Sequence, residues 1–156
     1  MFQLKLTSDK FSIKKIANQT YVFDQWRKKY VRLTPEEKVR QYILRFLIDE
    51  KGYPSTYFGV EKMVKINGMS KRYDAILFNK EGKPVMILEF KAPQIPITQH
   101  VFDQVAVYNS KFQVSLLIIS NGFQSYCCRI NFKDQRYEFF DEIPFFAEIE
   151  NYLLNT

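Results

Sequence analysis

Residues 84–91, with the sequence PVMILEFK, place the strongest constraint on how this chain can fold. A nearly continuous apolar run of this length is typical of a strand that is buried on both faces at the centre of a sheet. Glu89 and Lys91 interrupt the run near its end, where an unpaired charge would be costly. Because residues two apart on a strand point to the same face, these two side chains share one side of the sheet.

The segments on either side of this strand alternate between helical and extended patterns. Thr34 is a candidate N-cap, followed by Pro35 at the first helical position, and the helix that they begin is expected to end near Gly52. The other predicted elements are strands over residues 60–66, 72–79 and 114–119, a helix over 97–111, a terminal β hairpin over 124–132 and 136–140, and a closing helix over 142–153.

This order of elements predicts an α/β fold with one mixed sheet flanked by helices. A length of 156 residues fits one domain over 1–156, with residues 1–33 as an N-terminal arm that packs on the core. Residues 2–6 alternate between apolar and polar side chains, which indicates a short strand or an extended segment within this arm.

The expected location is the cytoplasm, without membrane attachment. The N terminus has no apolar stretch typical of a signal peptide, and no apolar run is long enough to span a bilayer. Cys127 and Cys128 are neighbours, so we interpret them as two reduced thiols on a strand, as expected in a reducing compartment.

A second carboxylate, Asp74, interrupts the apolar strand that precedes residues 84–91. If the two strands pair as a hairpin, Asp74 lies near Glu89 and Lys91. Two adjacent carboxylates repel each other unless a cation lies between them, and Mg²⁺ or Mn²⁺ suits such oxygen ligands, with the carbonyl of residue 90 as a further donor. A lysine beside this ion could orient a water or stabilise a transition state. The alternative is an ion pair in which Lys91 neutralises one carboxylate.

The chain is basic, with 23 Lys and Arg against 17 Asp and Glu, a net charge of +6. Such a surface attracts polyanions, chiefly nucleic acid or an anionic membrane. Mixtures of basic and aromatic residues are also common on ordinary solvated surface, so both interpretations stay open. The candidate phosphate-binding rim consists of Lys28, Lys29, Arg32, Arg40 and Arg72, with Trp26 and Tyr30 to pack or stack beside it, whereas Glu61 is interpreted as a surface charge.

The Asp74 and Glu89-Phe90-Lys91 pattern resembles the D…(D/E)xK signature of PD-(D/E)xK nucleases, although Tyr73 stands where that family often has proline. Further motifs resemble the nuclease domain at the N terminus of type I restriction enzyme R subunits, over residues 20–150. These motifs are WRKKYVRLTPEEKVRQ at 26–41, EFKAP at 89–93, QVAVY at 104–108 and SNG at 120–122.

The resemblance implies a restriction-endonuclease-like fold with an αβββαβ core, here as a freestanding domain. It also implies an endonuclease that hydrolyses DNA phosphodiester bonds with Mg²⁺ or Mn²⁺, in restriction or DNA processing. Asp74 and Glu89 would bind the metal, and Lys91 would be the catalytic lysine.

The same resemblance assigns roles on the two helices. Gln104 and Tyr108 would form a Q-x-x-x-Y motif one helical turn apart, with Gln104 binding DNA or the catalytic lysine. An acidic residue of the first helix, Glu36 or Glu37, would complete the metal site. Ordinary helix packing for the first pair, and a first-turn role with the helix dipole for the second, are the alternatives.

The chain lacks the phosphate loop G-x-x-x-x-G-K-[ST], so any ATP-driven step is expected to need a separate motor or specificity subunit. One alternative function is a module of the same fold that binds nucleic acid or protein with weak or absent catalysis. Another is a structural protein that uses the charges only as ion pairs. The sequence leaves open the DNA site, DNA against RNA, and the oligomeric state, a homodimer included.

Overall fold

A computed structural model of the chain describes residues 11–66 and 68–154, so the strand predicted over 2–6 lies outside the described residues. Within these ranges, no helix is both long enough and apolar enough to cross a bilayer. The elements in chain order are β1 (Ile13–Ile16), β2 (Gln19–Asp24), β3 (Lys29–Arg32), α1 (Pro35–Lys51), a 3-10 turn (Ser55–Tyr57), β4 (Phe58–Val60), β5 (Met63–Ile66), β6 (Met69–Arg72), β7 (Ala75–Phe78), β8 (Pro84–Phe90), α2 (Gln99–Phe112), β9 (Leu116–Ser120), β10 (Ser125–Asn131), β11 (Arg136–Phe139) and α3 (Phe146–Leu154).

The main sheet has six strands in the order β11-β10-β9-β8-β7-β4. β8 and β9 are parallel and are connected through α2, whereas the other neighbouring strands pair antiparallel. Met86, Ile87 and Leu88 in the middle of β8 are completely buried. The predicted mixed α/β sheet with a buried central strand is confirmed, and the arrangement is that of a restriction-endonuclease-like fold.

α1 and α2 cover opposite faces of this sheet. Val39 and Ile43 of α1 belong to the same apolar cluster as Leu88 of β8. Phe102 of α2 packs in a second cluster with Ile87, the preceding residue of β8. Because side chains alternate along a strand, the face that carries Ile87 also carries the side chain of residue 89.

The helix boundaries follow local capping. The Thr34 hydroxyl accepts a hydrogen bond from the amide of Glu37 at 3.1 Å, and Gly52 ends α1 with a φ of 76°. Thr98 caps α2 in the same way, so this helix begins at Gln99, two residues after its predicted start. α3 begins at Phe146, four residues after its predicted start at 142.

The strand predicted over residues 60–66 is wrong in one respect, because the chain leaves the main sheet after Val60. Glu61 adopts a φ of 51°, which is unusual for a residue with a side chain and breaks the extended run. β5 then pairs with β6 as a separate two-stranded sheet. Gly68, before β6, has a φ of 78°. The strand predicted from residue 72 begins at Ala75.

Residues 13–32, which the sequence analysis assigned to an arm, form a three-stranded antiparallel sheet, β1-β2-β3. Val22 of this sheet is buried, at 1% exposure. Trp26, in the turn between β2 and β3, packs against the main apolar cluster and donates its indole N–H to the carbonyl of Ser55 at 2.9 Å. The N-terminal sheet is thus attached to the core through its second turn.

Asp24 fastens this turn to α1. Its side chain is fully buried and accepts hydrogen bonds from the amides of Trp26 and Arg27 at 2.8 and 2.7 Å. The second carboxylate oxygen accepts from the Arg27 guanidinium and from Nε2 of Gln41 in α1, each at 2.9 Å. Burial alone would raise the pKa of Asp24, but the hydrogen bonds and the charge of Arg27 hold that pKa below its ordinary value.

We expect Asp24→Asn to lower the free energy of unfolding by roughly 2–4 kcal/mol, because Arg27 loses a buried charged partner. The carboxyl pKa is lower in the folded protein, so this stabilisation is present above the ordinary pKa of aspartate and is lost as the pH falls through the folded value. Urea unfolding at neutral and at acidic pH measures both effects. The matched control is Asp141→Asn, which changes an exposed aspartate; equal small losses in both variants would contradict the prediction.

Candidate functional site

The antiparallel pairing of β7 with β8 brings Asp74 next to the end of β8. Ala75 lies opposite Leu88, so the residue before Ala75 meets the last residues of β8. The amide of Phe90 donates a hydrogen bond to Oδ2 of Asp74 at 2.8 Å. Asp74 and Glu89 are close enough for their carboxyl groups to share a hydrogen bond, and both side chains are largely buried, at 22% and 13% exposure.

This proximity changes the protonation of Glu89. Burial, then the negative charge of Asp74 and the shared hydrogen bond, raise the pKa of Glu89 to about 8. The ammonium groups of Lys71 and Lys91 oppose the rise only in part. At neutral pH the pair therefore retains a proton, which means that the positive charges around it do not fully balance two carboxylates.

Two cations pair directly with these carboxylates. Nζ of Lys71 lies 3.8 Å from Oε1 of Glu89, and Nη2 of Arg40 lies 3.7 Å from Oδ1 of Asp74. In the part of the chain that the structure describes, no salt bridge joins Lys91 to either carboxylate, and Lys91 acts on Glu89 only through its charge, which opposes the raised pKa. The amide of Lys91 donates to the carbonyl of Ser120 at 2.9 Å, which anchors this lysine to the parallel neighbour strand.

Glu36 and Glu37, adjacent at the start of α1, have different environments. Burial and the charge of Asp74 raise the pKa of Glu36, and the cations Arg40 and Lys91 oppose this rise, so Glu36 faces the carboxylate pair. Glu37 is buried and accepts a hydrogen bond from Nη1 of Arg40 at 2.7 Å. The described residues contain no group of three His, Cys, Asp or Glu side chains that could hold a metal together, so Glu36 stands beside the pair rather than within one ligand group.

Arg40 was predicted to belong to an exposed phosphate-binding rim. This prediction is wrong, because its side chain is buried, at 3% exposure. Its guanidinium pairs with Glu37, with Asp74 and, at 3.4 Å, with Glu61. Glu61 also pairs with Arg27 at 3.5 Å, so it is not an isolated surface charge. The sequence signal for this network was limited to the helical spacing of Glu37 and Arg40.

The two motif residues of α2 are both exposed, with different connections to the site. The ring of Tyr108 lies 4.1 Å from Nζ of Lys71, the lysine that pairs with Glu89. Gln104 makes no hydrogen bond to Lys91 within the described part of the chain. Sequence reasoning missed Lys71, since a basic residue on a short outer strand carries no signal of its own.

The remaining basic residues of the predicted rim are exposed, but only one of the two predicted aromatic partners, Tyr30, is exposed as well. Trp26 cannot stack on a nucleobase with its full face, because its ring packs against the core. Nζ of Lys14 lies 3.9 Å from the ring centre of Tyr30. The exposed basic residues of the predicted rim are Lys28 in the β2–β3 turn, Lys29 and Arg32 on β3, and Arg72 at the end of β6.

Comparisons with known proteins agree on one relationship. Residues 35–144 match the model of the family described as "Type I restriction enzyme R protein N terminus". Among solved structures, the chain is similar to the fragment structure of a putative HsdR subunit of a type I restriction enzyme from Vibrio vulnificus YJ016, with a TM-score of 0.57 and 18% identity. That match covers 79% of this chain and 26% of the other, and at this identity it shows the fold alone. No curated protein matches the chain.

The raised pKa of Glu89 predicts how stability depends on pH without metal. The folded protein holds a proton that the unfolded chain releases, so stability falls as the pH rises from the ordinary pKa of glutamate to about 8. Glu89→Gln removes this titration. In chelator, we expect the variant to match the wild type at acidic pH and to be more stable above the folded pKa, by on the order of 1–3 kcal/mol.

Thermal unfolding across this pH range measures the difference. Glu81→Gln is the matched control, because this substitution removes the same charge from an exposed residue in the turn before β8. If Glu89→Gln is less stable than the wild type at alkaline pH, the surrounding positive charges fully neutralise the Glu89 carboxylate, and the prediction is wrong.

Proposed function

The chain belongs to the family of type I restriction enzyme R protein N termini, and we propose that it is a nuclease that hydrolyses DNA phosphodiester bonds with Mg²⁺ or Mn²⁺, in restriction or DNA processing. The observation that carries this proposal is the buried Asp74–Glu89 pair, in which the pKa of Glu89 is raised to about 8. Such a pair lacks one positive charge, and it lies at the end of the central strand beside Lys91.

The donor set fits a hard divalent cation. Asp74 and Glu89 would hold it, with the carbonyl of Phe90 as a further oxygen, and Mg²⁺ needs only one or two protein carboxylates beside water and a substrate phosphate. Glu36 adds a third negative charge facing the same place. When bound, the ion supplies Lewis acidity and lowers the pKa of a bound water.

The protein's own groups act around this position. Lys91 directly follows β8, and the alternation of side chains places it on the side of Glu89. There it would orient the attacking water or stabilise the charge of the reacting phosphate. Gln104 is exposed on α2 and can bind DNA, and the ring of Tyr108 on the same helix lies beside Lys71, which pairs with Glu89. Phosphates beyond the cleaved bond would be bound by the exposed basic residues Lys28, Lys29, Arg32 and Arg72.

A second function is favoured by one specific observation. Arg40 and Lys71 already pair with Asp74 and Glu89, which reduces the need for a metal. A module of the same fold that binds nucleic acid or a partner protein without cleavage would keep this arrangement. In either case we propose that the chain works in the cytoplasm with a motor or specificity subunit, because its family is that of the N termini of type I restriction enzyme R proteins.

We expect Asp74→Asn and Glu89→Gln each to weaken Mn²⁺ binding by about tenfold or more while leaving the fold intact, because each removes one anionic donor. Titration calorimetry measures the affinity, and circular dichroism checks the fold. Glu81→Gln again serves as the control, and it should bind Mn²⁺ as the wild type does. Equal Mn²⁺ affinity in all four proteins would rule out this metal site.

We expect Lys91→Ala to reduce DNA cleavage by about 10²–10⁴-fold yet to retain Mn²⁺, because Lys91 acts on the water and the phosphate rather than on the ion. Cleavage of plasmid and single-stranded DNA with Mg²⁺ or Mn²⁺ gives the rate, and Lys80→Ala, an exposed lysine in a turn, is the matched control.

If the wild type does not cleave DNA, either it needs the motor of a partner subunit or it is a binding module. Adding a candidate partner subunit distinguishes the two explanations. Cleavage that appears only with this partner, and that Lys91→Ala removes, supports the nuclease with an external motor. Continued inactivity of a wild type that binds DNA favours the binding module.

A further inference from the structure

Lys71 occupies a position that the sequence motifs do not assign. It comes from β6, in the outer hairpin, and its ammonium lies 3.8 Å from Oε1 of Glu89. The same ammonium lies 4.1 Å from the ring centre of Tyr108 and 4.7 Å from that of Tyr73. Three separate parts of the chain thus converge on one cation beside the carboxylate pair.

The two rings surround Lys71 in different ways. Tyr73 is 1% exposed and its ring packs edge-on against Phe112 of α2, so it forms a fixed wall. Tyr108 is 44% exposed, so the other wall lies at the surface. An ammonium between aromatic faces is attracted to both rings regardless of a carboxylate partner. Lys71 can therefore keep its place when Glu89 acquires a different partner.

Resting on the proposed function, we propose that Lys71 is a DNA phosphate-binding residue whose availability is controlled by Glu89. Without a divalent cation, Lys71 neutralises Glu89. Once a cation occupies the Asp74–Glu89 pair, Lys71 is released from this ion pair and binds a phosphate of the substrate. Tyr108 acts as a positioning residue, because its ring holds the ammonium at the surface of the site.

This exchange of partners couples two binding events. The cation makes Lys71 available for DNA, and DNA that occupies Lys71 makes Glu89 available for the cation. Because coupling between two ligands is reciprocal, each should raise the affinity for the other by the same factor. A lysine that only contacts phosphate would contribute equally to the DNA affinity with and without the cation. A lysine that only balances the charge of Glu89 would not contribute to the DNA affinity in either condition.

The test measures binding of a fluorescent duplex by anisotropy, with and without Mn²⁺, in a Lys91→Ala background that prevents cleavage. We expect Mn²⁺ to raise DNA affinity by about tenfold, within the usual range of such coupling. Lys71→Met, which keeps the length of the side chain and removes its charge, should abolish this gain and leave the affinity without Mn²⁺ within about twofold.

Three further variants separate the contribution of the Lys71 charge from that of the Tyr108 ring. Lys111→Met is the matched control, because Lys111 also lies near the ring of Tyr108, at 5.8 Å, but belongs to the exposed face of α2; it should keep the gain. Tyr108→Phe retains a ring beside Lys71 and should keep most of the gain, whereas Tyr108→Ala should lose it. Loss of the gain in Tyr108→Phe would assign the effect to the hydroxyl and overturn the positioning role.

Calorimetry with Mn²⁺ alone separates this inference from the proposed function. If the protein binds Mn²⁺ but Lys71→Met weakens DNA binding equally with and without it, or not at all, the exchange at Lys71 is wrong and the metal site stands. If the protein binds no Mn²⁺, the metal site itself is wrong and the exchange falls with it.

Discussion

Repulsion between the carboxylates of Asp74 and Glu89 is the constraint on which the arrangement around the sheet depends. The pairing of β7 with β8 fixes both residues, and the hydrogen bond from the Phe90 amide holds Asp74 in place. Because the surroundings are largely buried, the repulsion is little screened by water. Three cations oppose this repulsion, and none of them is adjacent to another in sequence. They are Arg40 of α1, Lys71 of β6 and Lys91, which follows β8.

This compensation extends outward from the site through the arginines. Arg40 connects Asp74 to Glu37, and Arg27 connects Glu37 to Asp24 in the N-terminal sheet. Each guanidinium serves more than one carboxylate, so its planar set of donors is used in several directions at once. Removing one partner from a buried network of this kind is costly, because it leaves a buried charge uncompensated. The N-terminal sheet therefore supports the position of Arg40, although it contributes no residue to the carboxylate pair itself.

The features that sequence predicted are those that local patterns determine. The apolar run of β8 and the alternation of side chains predicted that Asp74 and Glu89 converge, and the Thr34 cap predicted the start of α1. The departure of β5 from the main sheet was missed because it depends on the positive φ of Glu61, a residue held by ion pairs with distant arginines. The N-terminal sheet was missed for a related reason: its turns place Ala17, Asn18 and Lys28, rather than glycine, at positive φ.

The cations of the site differ in how firmly the chain holds them, and this difference bears on their roles. Lys91 follows directly on β8, and its amide is bonded to β9, so its backbone is as fixed as that of Glu89. Arg40 and Lys71 reach the carboxylates with long side chains from elements outside the main sheet. Long side chains can exchange partners without moving the backbone, whereas a group that acts on a reacting phosphate must be held in place. The position of Lys91 is therefore set by the sheet, whereas the two outer cations can change partners, as the proposed exchange at Lys71 requires.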